Sequence, residues 1–518
     1  MDDRVPVLIG VGEASERIDE PTWRGLSPAD LAGAAAAAAL ADAGAREPLA
    51  PHIDVVAAVR QFETSSPRAE APFGRSDNFP RAVAKRIGAN PARAILEPVG
   101  GQGPQHLVNE FARAIAKGEA EMALLCGAEA ISTIRHLASR GEKRDWSEEV
   151  GGELEDRGYG EALITGELGR HDGRTPITVY ALFENARRAR LGLSREAYAL
   201  EMGRLFAPFT GIAAANPHAM SREIYTAEEL ATVTGPNRLT SDPFPRRMVA
   251  RDQTNQGAAV LLTSVRRARE LGVPDDRFVY LHGAADVRER TPIERQDLSV
   301  SPASVMAARR ALDRAGVGAE KIDLFDLYSC FPIAVFNVRD GLGMAADDPR
   351  PLTVTGGLPY FGGAGNNYSM HGIAQMAHAL RARPGAMGMV TANGGFLSKY
   401  SVGVYSTQPA RSPTFDDADL QAEVDAWPTP PTAPGVGDGI VETYTIDFAR
   451  PEPVGIVVGS LRDGGARFVA RTDRADGTLA RRMAAEEPLG ARVSMTPDAE
   501  GRAILQTFEP ARLKEPTA

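Results

Sequence analysis

The chain has 518 residues, too many for one hydrophobic core, so two or more domains are expected. Apolar residues make up 43% and charged residues 24%, the balance of an ordinary soluble globular protein. The net charge of −10 disfavours generic nucleic-acid binding, which depends on neutralising phosphates, but a few local basic residues would suffice to hold a nucleotide-bearing small molecule.

No stretch reaches the ~18 uninterrupted apolar residues of a membrane span. The run Ala34–Ala39 is short, and Asp30 and Asp42 flank it, so it reads as a buried helix. The start, Met1-Asp2-Asp3-Arg4, is acidic and unlike the basic start of a secretory signal. Cys126 and Cys330 are too few for a disulfide framework, and no ligand cluster suggests zinc. The cytosol is the expected compartment.

In chain order, Ser27-Pro28-Ala29-Asp30-Leu31 opens an alanine-rich helix that closes at Ala43-Gly44, and a strand, Ile53-Asp54-Val55-Val56, follows. Ser suits the N-cap, Pro the first helical position and Gly the C-terminal end. Next, Leu107, Val108, Phe111 and Ile115 form an apolar helical stripe, and a strand near Met122–Cys126 leads into Gly127-Ala128-Glu129. Residues 131 to 250 form a long mixed segment that reads as an inserted binding surface. Its basic helix, Tyr180 to Leu191, carries Arg187, Arg188 and Arg190, which suit either ligand phosphates or a solvated face.

The first pattern then returns. Ser301-Pro302-Ala303-Ser304-Val305 opens a helix closing at Ala315-Gly316, and Ile322-Asp323-Leu324-Phe325 follows as a strand. Ile373, Met376, Ala377 and Leu380 repeat the stripe, and Met387–Val390 runs into Asn393-Gly394-Gly395. Two similar α/β halves with mostly parallel sheets are expected. Pro409, Pro413, Pro428, Pro430, Pro431 and Pro434 mark a linker. Beyond it, strand-like runs at Val441–Ile446, Val454–Leu461, Arg467–Arg471, Ala491–Met495 and Ala503–Phe508 predict a small all-β barrel or sandwich, an OB-like barrel among the options.

This order of elements resembles the thiolase superfamily over roughly residues 5 to 408, especially its sterol-carrier-protein type. The phrases that carry the resemblance are Ser27-Pro28 to Gly44, Tyr180-Ala-Leu-Phe-Glu184-Asn185-Ala186, Asn255-Gln256-Gly257-Ala258-Ala259 and Asp326-Leu-Tyr328-Ser-Cys330-Phe331. It implies duplicated thiolase-like halves in five layers, αβαβα, plus the C-terminal β domain. The corresponding boundaries are 1–290 with the insertion at about 131–250, then 291–408, a Pro-rich linker at 409–437, and 438–518.

The resemblance also says where the chemistry belongs. Thiolases need a nucleophilic Cys at a strand-to-helix turn, and the matching segment, Val99-Gly100-Gly101-Gln102-Gly103-Pro104-Gln105, puts Gly100 there. Tyr328, in Tyr328-Ser329-Cys330-Phe331, stands for the His of His-Asp-Cys-Phe. Gly362-Gly363-Ala364 replaces Gly-His-Pro, and Ala392-Asn393-Gly394 replaces Cys-x-Gly. Deleting the nucleophile of a covalent enzyme costs on the order of 10⁶ in turnover, or roughly 8 kcal/mol of barrier. Backbone N–H groups of Gly100, Gly101 and Gly394 remain as donors for a thioester carbonyl.

The resemblance therefore implies an acetyl-CoA acetyltransferase-like protein of lipid metabolism that binds acyl-CoA while thiolysis and Claisen condensation are lost. CoA thioester is its substrate or ligand, and no cofactor or metal is expected. A second reading is a CoA-ester aldolase-type lyase using Tyr328 with Tyr368 or His371, and Cys330 is a further candidate, against the plainer reading of a small buried residue. A third is a non-catalytic scaffold whose C-terminal domain docks a protein partner; a homodimer is the superfamily habit.

Overall fold

The computed structural model describes residues 4–161, 166–411 and 416–511. The acidic start at residues 1–3, Pro413 of the linker and the end of the C-terminal domain, 512–518, lie outside them.

A ten-stranded sheet carries the first four hundred residues. Outward from its middle, the first half runs Pro6–Ser15, Gln256–Ser264, Met122–Glu129, Val55–Val59, Arg93–Glu97 and the short Glu155–Asp156; the second runs Val279–Arg288, Lys399–Ser406, Met387–Gly394 and Leu324–Asp326. The halves meet where Val7 pairs with Tyr280 and Leu8 with Val279. In both, the last strand of the half slots in antiparallel beside the first. The repeat seen in the sequence is thus a repeat of strand order. The expectation of mostly parallel sheets is corrected. Parallel pairs lie toward the edges, and the strands that close each half, 256–264 and 399–406, enter from the opposite end.

The two apolar stripes meet in the middle layer. Leu107, Val108, Phe111 and Ile115 of the helix Gly103–Lys117 share one buried cluster with Ile373, Met376, Ala377 and Leu380 of the helix Tyr368–Ala382. Each such Leu, Ile or Phe contributes about 1.5–3 kcal/mol by leaving water. The helices Pro28–Asp42 and Pro302–Ala315 cover the outer faces of the first and second halves, completing five layers. Ser27 caps its helix as expected, in a reciprocal box with Asp30. Ser301 does not: its hydroxyl is 2.6 Å from the Tyr400 hydroxyl.

The linker holds a helix, Ala418–Asp425, whose Leu420 and Val424 enter the second half's core. After it, five strands (Gly437–Asp447, Val454–Leu461, Arg467–Arg471, Arg492–Pro497 and Ala503–Glu509) close into a barrel in which the third and fifth run parallel. A helix, Thr478–Ala485, lies between the third and fourth strands, giving the OB-like order. The barrel sits on the insertion. Thr443 donates to the Leu182 carbonyl, Asn185 to that of Tyr444, and Arg188 pairs with both oxygens of Glu487 at 2.7 and 2.9 Å.

Candidate functional site

The turn after the strand Arg93–Glu97 delivers Gly100 and Gly101 to the N-terminus of the central helix Gly103–Lys117. Gly100 has φ 154°, a conformation that favours glycine. A Cβ on Gly100 would fall 2.0 Å from Gln102 Oε1, and one on Gly394 would fall 1.9 Å from the same atom. The Gln102 amide therefore fills the space between the nucleophile position and the strand end Ala392-Asn393-Gly394. Its Oε1 is buried and accepts no hydrogen bond. A Cβ on Gly101 would lie 2.1 Å from the Tyr328 hydroxyl and 2.6 Å from the Asn393 carbonyl. A separate cavity of about 10 Å³, lined by Tyr328, Asn393, Ser304 and Val338 and not by Gly100 or Gln102, has room for a water at most.

The structure thus brings Gly100, Gly101, Tyr328, Cys330 and Gly394 to one place, and packs that place shut. The Gly100 N–H, expected as a thioester donor, already donates to Asn366 Oδ1 at 3.0 Å. The Asn366 amide in turn donates to the Arg60 carbonyl, and Ser369 donates to the Gly101 carbonyl. Asn366 comes from the turn before the second central helix, the segment that should have supplied a Gly-His-Pro histidine, and Ser369 from the first turn of that helix.

Burial sets the acid–base state of every candidate. It pushes the Cys330 thiol up to about 12, against weaker opposing hydrogen bonds from Tyr180 and the backbone. Cys126, fully buried in its strand, is likewise pushed up to about 12. Tyr328 is raised far above an ordinary phenol, by burial first and by Cys330 second. It stays protonated and cannot act as a base near neutrality. Tyr368 is also raised; its hydroxyl lies 2.6 Å from the Thr355 hydroxyl, and its ring meets Tyr328 edge-on at 5.5 Å. His371 is fully buried and turned away from Gly100, with Nδ1 2.6 Å from Glu13 Oε1. Burial would raise Glu13, but the hydrogen bond and charge of His371 outweigh it, and its carboxyl is held below the usual range.

Sequence reasoning gave Tyr180 no role here. It reaches in from the insertion, accepts from Asn393 Nδ2 at 2.8 Å and from the Leu397 N–H at 3.3 Å, and stacks on Phe331 with centroids 4.4 Å apart. Its place in the phrase Tyr180 to Ala186 was the available signal. The phosphate reading of the basic helix is corrected at two of three positions. Arg187 is buried against Asp340 and Glu201, and Arg188 against Glu487, because both face the packed side of the helix. Arg190 is exposed.

A larger, open space lies on the other side of Gln102. This cleft, about 470 Å³, is lined by Gln102, His106, Asp286, Arg288, Lys399 and Tyr400, among others. His106 Nδ1 is 3.3 Å from Asp286 Oδ1. Burial alone would lower its basicity, but Asp286 and then Glu97 raise it to about 9.

A family described as "Thiolase-like protein type 1 additional C-terminal domain" matches residues 419–500, the linker helix and most of the barrel. A search of curated proteins finds no match. Among solved structures, a monomeric SCP2-thiolase like protein type 1 from Mycobacterium smegmatis is 44% identical, with a TM-score of 0.84 over 98% of this chain and 99% of that one. An Ltp2-ChsH2(DUF35) aldolase is 19% identical, with a TM-score of 0.58 over 78% of this chain and 98% of that one. The dimeric peroxisomal thiolase of Saccharomyces cerevisiae is 15% identical, with a TM-score of 0.56 over 79% of this chain and 98% of that one. At those identities the last two share the fold alone. With the duplicated sheet and the appended barrel matched over 98% of this chain by the mycobacterial protein at 44% identity, the chain belongs to the thiolase superfamily, as a thiolase-like protein with an additional C-terminal domain.

Proposed function

We propose that this protein binds an acyl-CoA ester on the thiolase frame, in the cytoplasm and in lipid metabolism, without the acyl transfer of an acetyl-CoA acetyltransferase. One observation carries the reading: the nucleophile position is Gly100, and the space an acylated side chain would need holds the Gln102 amide. A missing sulfur cannot be replaced by orientation, and the two thiols present are held protonated by burial. Binding requires Gln102 to leave its pocket. That movement is inexpensive, since its buried oxygen gives up no hydrogen bond.

Intact mass after incubation with acetoacetyl-CoA should show no acyl-enzyme, and thiolysis should be absent, while calorimetry with the same ester should show binding. An adduct on Cys330 or turnover at an ordinary thiolase rate would sink the loss of transfer; the absence of binding would sink the ligand. The lyase alternative is weakened by the same groups. It asks for a base, and Tyr328 and Tyr368 are raised while His371 faces Glu13. The scaffold alternative keeps the barrel's outer face, its inner contact being taken by the insertion. For assembly, the monomeric relative and the covered sheet edge beyond Arg93–Glu97 favour a single chain over the superfamily's homodimer.

A further inference from the structure

The chain contains six lysines against 52 arginines. Lys85, Lys117, Lys143 and Lys321 are exposed, and Lys399 is the one buried lysine among the described residues, 8% exposed. Buried cations elsewhere are guanidiniums, such as Arg187, Arg188 and Arg467, each paired with a carboxylate. Lys399, like the buried Arg295, has no such partner among the described residues. Among the described residues no carboxylate lies within ion-pair distance of its amine, whose one hydrogen bond goes to the Val99 carbonyl at 3.1 Å.

Its position is fixed and accessible. Lys399 opens a central strand, paired with Gly394 on one side and Arg288 on the other, and its side chain lines the 470 Å³ cleft. A Cβ on Gly160 would come within 3.1 Å of Nζ, so a bare glycine keeps that approach clear. Pro98, Val287 and the Tyr400 ring supply apolar wall, and His106 an acid. Burial makes the amine less basic than an ordinary lysine, and Arg288 adds to this while Glu161 opposes it. An arginine at this position could never lose its proton, which a lysine can.

We propose that Lys399 is a nucleophilic amine that forms an imine with a small ketone or aldehyde bound in this cleft. The neutral amine adds to the carbonyl carbon, making the C–N bond as the C=O pair moves to oxygen. Both amine hydrogens then leave with that oxygen as one water molecule, and the nitrogen lone pair closes the C=N bond. No oxidant or reductant takes part. The site stands independently of whether a CoA ester binds beyond Gln102.

The test uses the full chain, acetone as the probe and cyanoborohydride to trap the imine as a secondary amine, read by intact mass and peptide mapping. One adduct per chain is expected, of the mass of acetone less one oxygen, on Lys399. It should form at least about tenfold faster than on the exposed Lys85, because the cleft holds the ketone beside the Lys399 amine. Lys399→Arg keeps the charge, cannot form an imine and should lose the adduct with an unchanged melting temperature. Labelling spread evenly over the surface lysines, no labelling, or undiminished labelling in Lys399→Arg would overturn the assignment. Mapping on the native protein decides the matter even if the variant fails to fold.

Discussion

Two spaces meet at the Gln102 side chain. On one side, the thiolase transfer position is filled by Gln102 and Tyr328; on the other, a cleft of about 470 Å³ stands open with ionisable walls. The first kept its backbone frame and lost its reactive groups, and the vacated volume was closed by neighbouring side chains, as dense interiors require. The second is bounded by strand ends, whose register holds Asp286, Lys399 and Ser401 in place whatever fills the cleft. Reactive groups can therefore disappear from a fold while the ionisable lining a few ångströms away stays intact.

The contrast can be broken at several points, the costliest first. If His371 serves the core and not the transfer position, Glu13→Ala leaves a buried histidine without its carboxylate and should cost about 3–5 kcal/mol in urea unfolding. The sign with pH follows from the lowered Glu13 carboxyl: its contribution is present above the ordinary carboxylate range and is lost as pH falls through the folded value. Gly101→Ala pushes a methyl against the Asn393 carbonyl and should cost about 1–3 kcal/mol; a fall in melting temperature of less than a degree would mean that the filled space is loose.

In the open cleft, His106 is raised to about 9. Its pairing with Asp286 stabilises fully below the ordinary imidazole range and is lost as pH rises through about 9. With a third of the side chain exposed, solvent screening limits this to about 1 kcal/mol or less, and His106→Gln should flatten that limb of the stability profile. Smallest in stability is Gln102→Ala, expected to cost less than about 1 kcal/mol because no hydrogen bond is lost. It joins the two spaces, so affinity for acetoacetyl-CoA should rise; unchanged affinity would mean that Gln102 is not the obstacle.

Much of the frame was legible because it is local. Strands at Val454–Leu461 and Arg467–Arg471 match their sequence runs residue for residue, and the two central stripes follow from helical spacing. The vacancy at Gly100 was legible through the resemblance of Val99–Gln105 to the thiolase nucleophile segment. What fills it was not, since Asn366 reaches Gly100 across 266 residues and no periodicity encodes such a contact. The same limit misled the reading of Arg187 and Arg188. A basic run looks solvated until the carboxylates that bury it, Asp340 and Glu487, arrive from 153 and 299 residues away. The helix Thr478–Ala485 escaped notice as two turns among strands.

The two-residue strand Glu155–Asp156, laid parallel along Ile95 and Leu96, has an effect out of proportion to its length. An open flank of main chain invites another polypeptide to zip onto it, and this one is already taken by the molecule's own insertion. A second polypeptide could zip onto this flank only by displacing the insertion, and losing those two residues' grip would hand a sticky ribbon back to solvent.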